Sequence, residues 1–549
     1  MAASYGQDRN NFNATEYFIH RHLREGRGER VAIECGEERV TYTQLSERVN
    51  RVGRGLRDTL RVRMEERVLL LLPDTPEFAY SFFGAIKIGA VPVPVNTLLR
   101  ANEYEHFLND TRARVAIVGE SFVHTLLQIP RERLSFLEHL IVVGAGGAPS
   151  VTASFSTTQF ADFLQSHHPQ LTAAPTCKDD AAFWLYSSGS TGSPKACIHL
   201  QHSMVAAAEQ YALKVLRICE SDRFFSVAKL FFAYGLGNGL YFPLAVGGTS
   251  ILFPGRASPQ NIHAVIQRHR PTLFFSVPSN FAALTEYRGE PVGDPRGKVA
   301  ATKTPKEEFD LSSIRLAVSA GEALPAGLCE RFTKRFGIEV LDGIGSTEAL
   351  HIFISNIPGE VRPGSCGRVV PGCEARILDE QRQPVRVGEI GNLWLKSDAT
   401  FAGYWNHREQ TKQTMKGEWI STGDKFYQDE AGYYWFAGRA DDMLKVSGVW
   451  VGPSEIESVL MEHESVAEAG VAAQQDKDGL SKPVAWVVLR PGYAGSSELA
   501  AALLEFVIAR LPSYKRPRRI EFVAELPRTA TGKLRRFELR QTCRESWIL

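Results

Sequence analysis

FWLYSSGSTGSPK, residues 183–195, passes from an apolar run into a loop of small polar residues that ends at Lys195. The apolar run predicts a buried β-strand, and the segment that follows, KACIHLQHSMVAAAEQYAL (195–213), predicts a helix. Glycines leave backbone N–H groups open to a ligand, and the hydroxyl groups and the lysine add further donors. The loop therefore indicates a site for phosphate oxygens, because a flexible polar linker would not be flanked by two ordered elements.

Three kinds of protein use a loop of this composition. A Walker P-loop requires the pattern G-x-x-x-x-G-K-[ST], and here Ser193 and Pro194 separate Gly192 from Lys195, so the pattern fails. An amidase with a serine-rich loop would carry a separate catalytic lysine upstream and no nucleotide motifs. The third kind, an adenylate-forming enzyme, binds the phosphates of ATP with a loop that this stretch resembles residue for residue.

Length and composition are those of an ordinary globular protein. The 549 residues exceed the size of a single core, and at about 150 residues per domain they correspond to three or four folding units. Apolar residues make up 44% of the chain and charged residues 23%, and the net charge of +1 argues against nucleic acid or an anionic membrane as the main partner. The eight cysteines form no C-x-x-C pair, which favours reduced thiols in the cytosol.

We predict neither a secretory signal nor a membrane span, and hence a cytoplasmic protein. The N-terminal MAASYGQDRNNF has no apolar segment of the kind that signals export. The most apolar long stretch, residues 227–253, is interrupted by Lys229, five glycines and Pro243. Such a stretch cannot form a simple spanning helix, so it is predicted to be buried core beside a cavity.

Short apolar strands alternate with helical segments in two parts of the chain, which is typical of parallel sheets covered by helices on both faces. In the first part, the strands are predicted at 67–72, 91–96, 114–120 and 139–144, with a helix at 77–90. The same rhythm returns at 271–284 and 314–325, and the polar segment between them, 289–308, predicts a surface loop.

From this pattern we predict an α/β fold with a large N-terminal region of stacked αβ sheets at 12–438. A small mobile α+β C-terminal domain is predicted at 439–549, a usual size for an independent unit. Its predicted elements are a helix at 453–463, a strand at 483–490, a helix at 497–510 and a strand at 519–524.

Further segments place the chain in a known superfamily. They are DGIGSTE (342–348), STGD (421–424), GRADDMLKVSG (438–448) and PRTATGK (527–533). Together with the first loop they resemble, in order and spacing, the superfamily of adenylate-forming acyl-CoA synthetases, peptide-synthetase adenylation domains and luciferases. Within it, KLFFAYGLGNGLYFPLAVGGTSILFPG (229–255) and GSTEALHIFISN (345–356) most resemble benzoate–CoA ligases, including 2-aminobenzoate (anthranilate)–CoA ligases.

The resemblance implies a nucleotide site for ATP and Mg²⁺. The phosphate loop would comprise Ser187, Ser188, Gly189, Ser190, Thr191, Gly192 and Lys195, with Thr191 also counted as catalytic. The adenine site would comprise Gly321, Glu322, Ala323, Asp342, Gly343 and Ile344, where Ile344 replaces the aromatic residue of many relatives; Ser346 and Thr347 complete the nucleotide set.

Two carboxylates have further implied roles in this site. Glu348 would be a catalytic residue and the Mg²⁺ ligand, the alternative being a surface glutamate. Asp424 would bind the ribose hydroxyl groups beside Arg439, the alternative being a turn or a helix cap.

The resemblance also implies that one site serves two reactions. Lys533 would bridge the carboxylate and the α-phosphate during adenylation. The composition of the segment around it would by itself fit a solvated basic tail. The C-terminal domain would then rotate about a hinge near Asp441, and Lys445 and Gly448 would border the path of the CoA pantetheine.

The acyl pocket implied by the resemblance is small. It would be lined by Ala233, Tyr234, Ala320, Gly345, His351 and Ile352. Small residues beside one tyrosine predict a flat slot for one aromatic ring, and His351 would bind a ring substituent unless it is a core histidine.

The sequence thus predicts an ATP-dependent aryl-CoA ligase that activates benzoate or a substituted benzoate as an acyl-adenylate and transfers it to CoA. One alternative is a free-standing adenylation enzyme that loads an acyl carrier protein, which presents the same pantetheine thiol. Another is a non-catalytic nucleotide-binding relative. The partners would be the aryl carboxylate, ATP and CoA, with no nucleic acid and no membrane; a homodimer is left open.

Overall fold

The computed structural model describes residues 11–144, 155–187, 194–287, 309–440, 443–446, 449–475, 481–512, 515–528 and 534–541. Its largest sheet has nine strands. In spatial order they are Arg368–Val369, Ile352–Ser355, Val340–Gly345, Leu316–Ser319, Leu273–Ser276, Arg223–Ser226, Thr249–Leu252, Val31–Cys35 and Glu38–Thr41. The six central strands run parallel, and antiparallel strands complete both edges.

A second sheet has five parallel strands. They are Val91–Pro94, Arg67–Leu71, Val115–Gly119, His139–Val143 and Ser156–Gln159 in spatial order. The four strands predicted in this part of the chain are confirmed with slightly shorter bounds. The last strand was not predicted, because Ser156–Gln159 is polar and incompletely buried.

The helices of the N-terminal region begin at recognisable local signals. At Thr41 the hydroxyl accepts a hydrogen bond from the Gln44 backbone N–H while the Gln44 side chain accepts one in return, a capping box that starts Tyr42–Arg54. Proline occupies the first turn of Pro76–Lys87, Pro259–His269 and Pro278–Glu286, where its fixed φ suits a helix start. The other helices are Glu16–His20 with Arg21–Arg24, Gly55–Thr59, Ala101–Thr111, Glu120–Leu127, Arg131–Arg133, Phe160–Gln165, Ser203–Ala207 with Ala208–Leu213, Ala233–Leu236 with Gly237–Tyr241 and Phe242–Val246, Ala326–Phe336 and Arg408–Thr414.

The helix predicted to begin at Lys195 is wrong in its first part. Lys195–Leu200 is a strand that pairs antiparallel with Ala181–Ser187, and a third strand, Gly403–Tyr404, pairs with it on the other side. The helix begins only at Ser203. The pairing with neighbouring strands determines the secondary structure of this segment, because a short apolar run of this kind suits a strand and a buried helix equally well.

A fourth sheet follows in the chain and carries the last part of the predicted N-terminal region. Its strands are Glu374–Leu378, Gly391–Lys396, Trp419–Gln428 and Met415–Lys416, with Tyr434–Arg439 paired to Trp419–Gln428. The predicted boundary between 438 and 439 stays a prediction. Asp441, at the predicted hinge, and the predicted surface loop at 289–308 lie outside the described residues.

The C-terminal elements form a unit with its own hydrophobic core. Val466–Gln475, Ser481–Leu489 and Ile520–Phe522 make a sheet, and Leu444–Val446 pairs with Val449–Val451. The helices are Pro453–Met461, Ser497–Ile508 and Arg536–Gln541. Its buried side chains form two clusters, the larger of which extends from Val451 to Ile520, so the predicted α+β unit is confirmed, although strand Val466–Gln475 was missed.

The long apolar stretch at 227–253 is buried, as predicted. It forms the helical segments from Ala233 to Val246 and strand Thr249–Leu252, whose side chains are almost all buried. In the part of the chain that the structure describes, no helix has the length and apolar character needed to cross a membrane.

One lysine joins the carboxyl ends of strands from both large sheets. The Lys229 ammonium donates to the backbone oxygens of Phe253 at 2.7 Å and Gly255 at 2.9 Å, and lies 3.5 Å from Asp74 Oδ2. Asp74 is buried, which raises its pKa, and it also accepts a hydrogen bond from the Leu230 backbone N–H at 3.0 Å. Lys229 and Asp74 therefore fix the loop that leads into helix Ala233–Leu236.

We expect Lys229→Met to destabilise the N-terminal region by about 3 kcal/mol, because it leaves the Asp74 carboxylate buried without its cation. The measurement is the apparent Tm by differential scanning fluorimetry. Lys412→Met is the matched control, since Lys412 pairs with Glu409 on the exposed face of a helix. A Tm for Lys229→Met equal to that of the control would contradict the structural role of Lys229.

Candidate active site

The two ends of the predicted phosphate loop lie at the open end of a strand pair. Ser187 and Lys195 are direct partners in the antiparallel register, so both ends of the loop stand side by side. The Lys195 ammonium lies 5.4 Å from the centre of the Tyr404 ring. The loop residues between them, which are Ser188, Gly189, Ser190, Thr191 and Gly192, lie outside the described residues, and their contacts stay predictions.

The Glu348 carboxylate lies beside the base of this loop. Its Oε1 accepts a hydrogen bond of 2.8 Å from the Tyr404 hydroxyl, and its backbone oxygen accepts one of 2.8 Å from the Phe401 N–H. Tyr404 is the register partner of Cys197, two residues after Lys195. Burial and the neighbouring Glu348 charge raise the pKa of Tyr404, so its hydroxyl stays protonated and remains a donor. Sequence analysis missed Tyr404, whose signal is the Gly-Tyr-Trp run at 403–405.

The residues between Gly345 and Glu348 form a tight turn. The Ser346 hydroxyl accepts a hydrogen bond from the Ala349 N–H at 3.1 Å, and the Thr347 backbone oxygen accepts one from Leu350 at 3.1 Å. These bonds direct Glu348 away from strand Val340–Gly345 and toward Tyr404.

The two predicted adenine segments lie on neighbouring parallel strands. Ser319 and Asp342 are register partners, and Gly321 turns the chain just after the first strand with φ of +95°, a conformation that favours glycine. The Leu324 N–H donates to Asp342 Oδ2 at 3.3 Å, which brings the segment containing Glu322 and Ala323 against Asp342. Gly343 and Ile344 continue the second strand.

Asp342 is the most perturbed carboxyl group of the site. Only 4% of its surface is exposed, and burial raises its pKa to about 8. Its Oδ1 has no hydrogen-bond partner among the described residues. A buried carboxyl oxygen without a partner can accept a hydrogen bond from a ligand, or donate one when the group is protonated. This property fits the predicted adenine site.

Asp424 and Arg439 lie together, as the sequence predicted. They are register partners on strands Trp419–Gln428 and Tyr434–Arg439, and Arg439 Nη1 donates to Asp424 Oδ1 at 2.9 Å. Asp424 is buried, whereas its partner is exposed. Burial first, and then the charges of Asp342 and Asp424, raise the pKa of the Cys366 thiol, so both carboxylates act on one buried side chain.

The predicted acyl pocket lies at the ends of two central strands. The Tyr234 hydroxyl lies within hydrogen-bonding distance of the backbone oxygens of Val318 (3.0 Å) and Ser276 (3.3 Å). Ala233, Ala320 and Ile352 are buried in one hydrophobic cluster, against which Tyr234 packs. Gly345 lies against the His351 backbone, since a Cβ on it would approach the His351 carbonyl oxygen to 2.6 Å. The structure therefore brings all the predicted pocket residues into one region.

His351 is held more firmly than the sequence indicated. Its Nε2 forms a hydrogen bond of 3.1 Å with Asn238 Oδ1, and its ring contacts Phe242 and Tyr234 at centroid distances of 4.5 and 5.7 Å. Gly237 is required here, because a Cβ would lie 2.5 Å from His351 Cδ2. Burial lowers the pKa of His351 to about 3, so the ring is neutral at physiological pH.

The Nε2 side of the imidazole is thus hydrogen-bonded within the core, whereas Nδ1 is without a hydrogen bond in the described part of the chain. Sequence analysis missed Asn238 and Phe242. Their signal is the glycine-rich GLGNGLYF (235–242), which forms the segment Gly237–Tyr241 with π-helical geometry, a feature common at functional sites.

The predicted C-terminal site residues are less fully described. Lys533, Asp441 and Gly448 lie outside the described residues, and Lys445 belongs to strand Leu444–Val446. Arg528 and Leu534 form a β-bridge on either side of the segment that contains Lys533.

Comparison with known proteins agrees with this geometry. The profile of the AMP-binding enzyme family matches residues 20–405, and that of the AMP-binding enzyme C-terminal domain matches residues 455–533. A benzoate–CoA ligase from Thauera aromatica is 44% identical over 534 residues, 96% of each chain. A 4-hydroxybenzoate–CoA/benzoate–CoA ligase from Rhodopseudomonas palustris is 40% identical over 532 residues, 96% of this chain and 94% of that protein.

Solved structures extend the similarity to three dimensions. The anthranilate CoA ligase AuaEII in complex with anthranoyl-AMP superposes with a TM-score of 0.88 and 41% identity, over 97% of each chain. A benzoate CoA ligase from Burkholderia xenovorans LB400 gives a TM-score of 0.85 and 42% identity, over 96% of this chain and 100% of that one. With family profiles covering most of its length and relatives this similar from end to end, the chain belongs to the AMP-binding enzyme family.

Proposed function

We propose that this enzyme is an AMP-forming aryl-acid–CoA ligase that activates benzoate or a substituted benzoate, 2-aminobenzoate included. The observation that carries the proposal is the neutral, largely apolar cluster of Ala233, Tyr234, Ala320 and His351, where the sequence predicts the ring pocket beside the nucleotide residues. The end-to-end similarity to benzoate–CoA ligases supports the same substrate class.

The reaction has two steps in this proposal. A carboxylate oxygen of the aryl acid attacks the α-phosphorus of ATP, the bond to the β-phosphate oxygen breaks, and pyrophosphate leaves. The CoA thiol then loses its proton and attacks the carbonyl carbon of the adenylate, and AMP leaves with the bonding electrons. The first step joins an anion to a polyanion, so it depends on positioning and on neutralising charge.

In the proposal these tasks are divided among the site residues. Lys195 and the loop beside it would bind the phosphates, and Asp424 would bind the ribose hydroxyl groups. Mg²⁺ prefers oxygen ligands and is often held by one carboxylate and nucleotide phosphates, so Glu348 beside the phosphate loop suits it. When bound, the ion supplies positive charge to the phosphates.

The proposed pocket suits a ring because the side chains around it are uncharged and largely apolar. With His351 neutral and Tyr234 protonated, it offers no charge that would attract the carboxylate inward. The carboxylate is therefore expected to face the nucleotide, while the ring packs among apolar side chains.

The assay that tests the proposal combines benzoate, ATP, Mg²⁺ and CoA and detects benzoyl-CoA and AMP by liquid chromatography. Replacing CoA by an acyl carrier protein tests the adenylation-enzyme alternative, which shares the pantetheine thiol. Absence of aryl-acid-dependent AMP formation with both acceptors would contradict the proposal and favour a non-catalytic relative. A cytoplasmic location and a homodimer remain part of the proposal, and size-exclusion chromatography tests the dimer.

We predict that Ala320→Leu changes the substrate preference. The added side chain reduces the ring pocket, so kcat/KM for 2-aminobenzoate and 4-hydroxybenzoate should fall more than that for benzoate, by a factor of about 5 to 100. Ala282→Leu, on the helix Pro278–Glu286, is the control. Unchanged ratios, or a wild-type enzyme that prefers octanoate to every ring, would contradict the aryl pocket.

We predict that Tyr404→Phe weakens Mg²⁺ binding, because Glu348 loses the hydrogen bond that orients its carboxylate. Groups that orient a metal ligand are worth about 10-fold or more in affinity. Titration calorimetry of ATP with the enzyme, at a series of Mg²⁺ concentrations, gives a readout independent of turnover. Tyr433→Phe, which removes an exposed hydroxyl bonded to the Glu360 backbone, should leave the Mg²⁺ dependence unchanged; equal effects of the two variants would refute the role of Tyr404.

We predict that Lys533→Ala impairs the two steps unequally. Its charge is useful only while the α-phosphate is attacked, so aryl-acid-dependent pyrophosphate exchange should fall roughly 100-fold or more. Thioester formation from pre-made benzoyl-adenylate and CoA should change little. A similar loss in both assays would show that Lys533 has another role.

A further inference from the structure

Among the residues that the structure describes, two ion pairs connect the C-terminal unit to the rest of the chain. Arg490 Nη1 lies 2.7 Å from Glu286 Oε1, at the end of helix Pro278–Glu286. Arg528 Nη1 lies 3.5 Å from Glu322 Oε1. The second pair has the closer relation to function, because Glu322 belongs to the predicted adenine segment that contacts Asp342 through Leu324.

Arg528 lies between two carboxylates that belong to different units. Its Nη2 is 2.8 Å from Glu468 Oε2, on strand Val466–Gln475 of its own unit, and its Nη1 faces Glu322 across the junction. The Arg528 side chain is 30% exposed, so the two contacts are partly shielded from water. A rotation of the C-terminal unit would break the contact with Glu322 and leave the contact with Glu468 intact.

The backbone around Arg528 is anchored in the C-terminal unit. Arg528 forms a β-bridge with Leu534, and the Arg535 N–H donates to the Pro527 oxygen at 2.8 Å. Leu534 packs against the cluster of Trp486 and Leu526. Arg528 is therefore expected to move together with the whole C-terminal unit and not independently of it.

We propose that Arg528 is a positioning residue for adenylate formation. By pairing with Glu322 it stabilises the arrangement in which the C-terminal unit faces the adenine segment. The proposal rests on the two-step function above, because only an enzyme with two half-reactions needs to favour one arrangement over another. Arg528 touches no reacting atom, and it contributes nothing once the unit has rotated.

Arg528→Gln tests this proposal through a comparison of the half-reactions. Benzoate-dependent ATP–pyrophosphate exchange should fall about two- to fivefold, the range of a partly exposed ion pair. Thioester formation from benzoyl-adenylate and CoA should be unchanged or faster. Wild-type exchange should itself weaken as salt is raised, and that dependence should be smaller in the variant.

Two further variants separate positioning from stability. Arg519→Gln removes an arginine that pairs with Glu521 and Gln474 inside the same unit, and it should change neither half-reaction. Arg528→Lys keeps the charge but cannot bridge both carboxylates as a guanidinium does, so its exchange rate should lie between those of the wild type and Arg528→Gln. In a Glu322→Gln background, Arg528→Gln should bring no further loss of exchange.

Equal losses in both half-reactions, or a full additional loss in the Glu322→Gln background, would overturn the proposal. If the wild-type enzyme shows no benzoate-dependent exchange, the proposed function fails, and this outcome is distinct from failure of the Arg528 proposal.

Discussion

The ammonium group of Lys229 links the two large sheets and positions the loop that leads into the predicted acyl pocket. Lys229 bonds to the chain after strand Thr249–Leu252 and faces Asp74, which follows strand Arg67–Leu71. Asp74 in turn accepts the Leu230 N–H, so the loop before Ala233 and Tyr234 is fixed from both sheets. An ammonium group has three protons to donate, and here it has three acceptors, which offsets the cost of placing it next to a buried carboxylate.

The sequence predicted the parallel sheets because their strands are short, apolar and separated by helices. It predicted the wrong structure for Lys195–Leu200, because a short apolar run is compatible with both a strand and a helix. The pairing with Ala181–Ser187 makes this segment a strand. It placed Asp424 beside Arg439 by resemblance, and the register of two adjacent strands gives the physical reason. It missed Tyr404 and Asn238 because each acts through a residue distant in the chain, Glu348 and His351, and no local pattern encodes such a contact.

Charge is distributed unevenly over the site, and the distribution follows the chemistry. In the proposed roles, Lys195 would face the phosphates, Glu348 a cation and Asp424 the ribose hydroxyl groups. The acyl pocket has none of these groups: its polar side chains, Tyr234 and His351, are neutral and hydrogen-bonded to backbone oxygens and to Asn238. An uncharged pocket beside a charged site would orient an aryl carboxylate, because the carboxylate would stay outside the pocket.

The contacts between the two units suit the proposed change of arrangement between the half-reactions. Both interdomain arginines are partly exposed, and an exposed ion pair is worth only about 0.2–1 kcal/mol. A stronger pair at the junction would stabilise one arrangement further, and each additional stabilisation of about 1.4 kcal/mol would change the population ratio by about tenfold. The second half-reaction would then be slowed by the cost of leaving the first arrangement. Weak pairs at the junction would let the proposed rotation proceed at little cost, while the buried pair of Lys229 and Asp74 keeps the N-terminal region intact.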